Sequence, residues 1–178
     1  MTSDGEALFR AICEQPREDM PRLVYADWLQ ENGRPERAEF IRLQCEAWHL
    51  CPAYPTDTEA RTAASRILKQ YGDLWHAELP AVVEVTWSDL FVRGFVDVAW
   101  ITAKGDVRAQ LDAVFAAAPV QHLTVTDFGL DGLEILFDSG YAGRLTTLLR
   151  QGRGSGYSAG VGKLVTDARR RFPKTKIK

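Results

Sequence analysis

PRLVYADWLQENGRPERAEFIRLQCE, from Pro21 to Glu46, places apolar residues at helical spacing on both sides of an Asn-Gly pair. The first run starts near Asp19 and carries Leu23, Val24 and Ala26 to Leu29 as its apolar stripe. It stops at Asn32-Gly33, a pair suited to the left-handed conformation that ends helices. The second run opens at Pro35, whose fixed φ and missing N–H suit a first helical turn, and extends to about Leu50. Two helices joined by so short a turn must lie antiparallel. The stretch therefore predicts a helical hairpin that buries Leu23, Val24, Trp28, Leu29, Phe40, Ile41 and Leu43 along its seam.

The same periodicity extends outward on both sides. Ser3 or Asp4 caps a helix with Ala7, Leu8, Ala11 and Ile12 on one face, ending before Pro16. Thr56 or Asp57 caps a fourth helix that runs to about Tyr71 and closes at Gly72, with LWHAELP as a short exit. Beyond this point the period changes. Val82 to Trp87 and Phe91 to Ile101 are rich in β-branched and aromatic residues and predict a hairpin turning at Ser88-Asp89. Gly105 to Ala118 is helical again and ends at Pro119. A strand from Leu123 to Thr126 with a following helix, a strand beginning at Leu145 with a helix from Gly160 to Arg171, and a last strand in TKIK complete an α+β order. The expected division is a helical region over 1–80 and a hairpin with strand-helix units over 81–178, in one continuous globule.

Composition narrows the function. The 178 residues are 46% hydrophobic and 26% charged, enough for an ample core. No apolar run reaches the length of a membrane span. The start, MTSDGEALFRAICEQ, is acidic and helical where a secretory signal is basic and apolar, so a cytoplasmic protein is expected. Cys13, Cys45 and Cys51 are too few for a disulfide framework. The net charge of −2 conceals an asymmetry: residues 1–140 hold twelve Lys/Arg against twenty-three acids, and the rest hold ten against one.

The Pro21 to Glu46 stretch closely resembles the signature of the bacterial repeat-companion domain, in which an R-L-V-Y-A-D-W-L helix and an R-A-E-F-I-R-L-Q helix form a hairpin. Phe91 to Trp100, FVRGFVDVAW, is similar to the strand that follows in the same proteins. The resemblance implies leucine-rich repeats after that strand. Here they are degenerate: from Leu145 the chain places Leu148 correctly but Arg150, Arg153 and Ser155 where leucine, asparagine and isoleucine belong. The family brings no catalytic residues. It implies a protein-interaction or adaptor module, by analogy in a bacterial regulatory or defence assembly, with its surface on Leu123 to Arg150 and then on the helical hairpin.

Candidate chemistry is sparse. QGRGSGYSAGVGKL, Gln151 to Leu164, approaches three motifs and satisfies none. A phosphate loop needs glycine at Tyr157 and a hydroxyl at Leu164. A dinucleotide fingerprint needs glycine at Tyr157 or Ala159. A nucleophile elbow at Ser158 needs a histidine downstream, and the last one is His122. Cys45, His49 and Cys51, with Cys13, have unusual spacing for zinc, and a small buried thiol explains Cys45 more simply. No catalytic residue, metal or cofactor is therefore assigned, and the chain is expected not to be an enzyme. Arg22, Tyr25, Asp27, Trp28, Arg37 and Arg42 form the candidate partner-binding set, against the simpler role of pairing across the hairpin seam. The alternative is a nucleic-acid accessory function through Arg144, Arg150, Arg153, Lys163 and Arg169, Arg170 and Arg171.

Overall fold

The computed structural model describes residues 3–50, 58–151 and 159–178 of a mixed α+β chain. It divides into two compact units. The first comprises residues 1–80 with 89–96, and the second residues 81–88 with 97–178. The tip of the hairpin thus belongs with the helices.

The first unit holds α1 (Ser3–Glu14), α2 (Met20–Glu31), α3 (Pro35–Leu50) and α4 (Glu59–Ala77). The α2 end follows its sequence signal. Gly33 takes φ +77, the Asn32 backbone N–H donates to the carbonyls of Trp28 and Leu29, and its side chain donates to Trp28 O at 2.8 Å. α4 begins on Thr58, whose hydroxyl accepts from the Arg61 N–H at 3.2 Å. It runs straight through Gly72, where a stop was expected. A helix already held by buried Ala60, Ala64 and Trp75 tolerates an interior glycine at a cost of about 1 kcal/mol. Ile12, Tyr25, Ala26, Leu29, Ala38, Ile41, Cys45 and Phe95 form one core, and Phe40, Ala64 and Trp75 another. Of the expected seam, Leu29, Phe40 and Ile41 are buried, whereas Val24 faces outward at 43% exposure.

The hairpin corrects the expectation of a turn at Ser88-Asp89. β2 (Phe91–Val92) and β3 (Phe95–Val96) pair around Arg93-Gly94, a nested turn inside the longer hairpin. Both turn residues have positive φ, +49 at Arg93 and +90 at Gly94. Two consecutive left-handed residues are what the tightest hairpin turn demands, and Ser-Asp supplies none. Gly94 is required twice, because a Cβ there would stand 2.5 Å from Ile41 Cγ1.

The second unit is a five-stranded sheet in the order β1 (Val85–Trp87), β4 (Val98–Thr102), β5 (His122–Thr126), β6 (Thr147–Gln151), β7 (Lys176–Ile177). β1 is antiparallel to β4, and the rest run parallel. α5 (Val107–Ala117), α6 (Leu130–Asp138) and α7 (Ala159–Arg171) make the crossovers. Since strand order follows chain order, crossovers of one hand place all three helices on one face. α5 packs on α6 and α6 on α7, as that layer requires. The strand residues facing it, Ala99, Ile101, Leu123, Val125, Leu148 and Ile177, are all buried. Sequential parallel strands with helices on one side are the arrangement expected of the strand-helix units.

Candidate interaction surfaces

The signature of the helical hairpin turns largely inward. Arg22 is wholly buried, and its guanidinium donates to Glu18 O at 2.6 Å and Pro16 O at 2.9 Å. Arg93 reaches the same loop, donating to Pro16 O, Arg17 O and Asp19 Oδ1 at 2.8, 2.9 and 2.8 Å. Two arginines thus supply the donors that a loop between two helices leaves missing. Asp19 precedes α2 but forms no side-chain cap, and its carboxylate pairs with Arg93 instead.

Arg37 is buried in a different way. Its guanidinium lies 4.3 Å from the Trp75 ring centre, 5.2 Å from Phe95, 5.3 Å from Phe91 and 5.8 Å from Phe40. Among the described residues no acceptor reaches its Nη1. Burial pulls the group down to about 10, with Glu78 nearby working the other way. It remains a cation at neutral pH, and the aromatic faces replace part of the hydration it loses, at up to about 2 kcal/mol for a desolvated contact. Tyr25 is also buried, stacked on the Trp28 ring at 5.7 Å, and burial raises its hydroxyl pKa. Trp28 is half-buried against Gly5, where a Cβ would come within 2.5 Å of the ring.

Of the six residues singled out from the hairpin, Arg22, Tyr25 and Arg37 therefore lie inside, and Asp27 and Arg42 reach the surface. These two pair with each other at 2.7 Å, and Arg42 also donates to Gln30. An exposed pair of this kind contributes about 0–1 kcal/mol.

The basic segment is also partly engaged. Arg169 donates to Ile177 O at 2.9 Å, tying α7 to β7. Arg171 pairs with Asp138, Arg170 with Asp167, and Arg144 lies over the Tyr141 ring. Arg150 stands opposite Val125, in the register row that faces the helices. Lys163 is exposed on α7. Arg153, Ser158 and the Gly-rich loop lie outside the described residues, as does Cys51. Cys13 and Cys45 are buried, and burial raises the Cys45 thiol to about 11. Among the described residues no three potential metal ligands converge, and no helix is long and apolar enough to cross a membrane.

The sheet's second face is the surface that no hydropathy pattern isolates. Pairing aligns Thr86, Trp100, Thr124 and Leu149 in one row, and Val98, His122, Thr147 and Lys176 in another. None of the unit's three helices covers this face. Thr124 is buried between its large neighbours, while Trp100 remains 42% exposed. The sequence signal was present in the alternation of Val98 to Thr102, but nothing local told which side the helices would take. No family model, curated protein or solved structure matches the chain.

Proposed function

We propose that this protein is a non-catalytic interaction module that binds a protein partner through the uncovered face of its sheet. The observation that carries the proposal is the Trp100 row: a large aromatic ring left 42% exposed on an interior strand of the sheet, flanked by Thr86 and Thr124, with Leu149 one strand further along the row. Tryptophan combines a wide apolar surface with one hydrogen-bond donor, which suits it to anchor an interface. The threonines around it offer hydroxyls without long side chains to immobilise. The resemblance to repeat-companion domains supports the same conclusion, since leucine-rich folds bind through exposed strand faces. The engagement of Arg169, Arg170 and Arg171 within the unit weighs against the nucleic-acid alternative.

The test is affinity capture from the source organism with wild-type protein, Trp100→Ala and Leu149→Glu. A partner retained by the wild type should be lost by at least about tenfold with Trp100→Ala, the loss of a central aromatic anchor. The melting temperature should barely change, because the ring packs on no helix of its unit. Undiminished capture by both variants would remove the sheet face as the binding surface.

A further inference from the structure

The first unit carries a groove that the sheet proposal does not use. One face of α4 contributes Leu68, Gly72, Asp73 and His76, and the hairpin tip contributes Asp89 and Phe91 around a volume of about 370 Å³. Gly72 keeps the wall open, since a Cβ there would stand 3.1 Å from Leu68 Cδ1. Leu68 and Phe91 give an apolar lining. Asp73 is exposed, and the Asp89 side chain is 98% exposed. His76 Nε2 faces Asp89 Oδ1 at 3.6 Å, beyond hydrogen-bonding distance, and has no hydrogen-bond partner among the described residues. Among the described residues no lysine or arginine lines the space. By sequence the whole unit is acidic, with ten Lys/Arg against fifteen Asp/Glu.

We propose that this groove docks a basic, aliphatic segment of a partner protein. An arginine or lysine stem lies along Phe91 and Leu68, and its charge sits between Asp73 and Asp89. Charge complementarity selects this occupant. Two carboxylates without a lining cation repel phosphate and acidic peptides, while an apolar floor beneath them matches a side chain whose stem is apolar and whose end is cationic. Asp89 has the imidazole as its neighbour at 3.6 Å and, among the described residues, no closer cation, so an incoming guanidinium meets an available acceptor. The groove belongs to a different unit from the sheet face, so each proposal stands or fails alone.

The experiment uses the full chain and a short labelled peptide of leucine, alanine and arginine, with a twin carrying glutamate in place of every arginine. Fluorescence anisotropy at low salt should show binding of the basic peptide and none of the acidic twin. Asp73→Asn with Asp89→Asn should weaken it by at least about tenfold, and Asp89→Asn alone by a smaller factor. Glu36→Gln with Glu39→Gln removes the same charge from an exposed part of α3 and should leave affinity within about twofold. Both pairs are exposed, so unchanged melting temperatures verify folding. Absence of binding, equal binding of both peptides, or equal weakening by the two variant pairs would overturn the proposal.

Discussion

Trp28 illustrates how a residue that looks like a binding group is held by packing. Its ring stacks on Tyr25 and closes over Gly5, so Trp28→Ala should lower stability by about 3 kcal/mol in urea unfolding, the lower end for loss of a tryptophan from a core. A loss below about 0.5 kcal/mol would mark the ring as surface-presented. Arg22, Arg37 and Arg93 teach the same lesson about charge. Sequence placed Arg22 and Arg37 beside the hairpin seam as candidate contacts, because arginine is almost always exposed, and gave Arg93 no role of its own. Their burial became visible once the loop carbonyls of Pro16, Arg17 and Glu18 and the rings of Trp75 and Phe91 stood around them. None of those partners is adjacent in the chain.

At the scale of elements, local signals located most helices within a residue or two, and failed where a neighbour overrode them. Gly72 was expected to end α4, yet the helix continues five residues to Ala77. The hairpin turn moved to Arg93-Gly94 because backbone handedness outweighs the polar character of Ser88-Asp89. α7 and β7 offer a test of how a short last strand is retained. Arg169→Ala removes the two hydrogen bonds from its guanidinium to Ile177 O and should cost about 1–2 kcal/mol, while Arg170→Ala, exposed and 3.7 Å from Asp167, should change stability by less than about 0.5 kcal/mol. Thermal unfolding of the two variants side by side checks both values. Equal effects would mean that Arg169 does not anchor the strand.

The whole molecule registers buried ionisable groups through pH. Desolvation raises the Cys45 thiol from 9.0 to about 11, with Asp19 adding and the Arg22 and Arg93 cations opposing. Between about pH 9 and pH 10 the unfolded chain releases this proton while the folded chain keeps it, so stability must fall as pH rises. Arg37 acts in the opposite direction only above about 10, where its lowered value separates from the ordinary arginine range. Urea midpoints measured across pH 9 to 10 should therefore drop more steeply for the wild type than for Cys45→Ala. Parallel curves would show that the thiol is not the titrating group. By itself the sequence determined the α+β order and the helical hairpin, because periodicity, caps and prolines act within a few residues of where they are written. Only the tertiary structure decided which arginines are buried, that the hairpin tip joins the helices, and that Trp100 lies on the sheet face opposite the helices. Apart from the short reach of Arg22 to Glu18 and Pro16, these depend on partners brought together from far along the chain, and no local pattern encodes them.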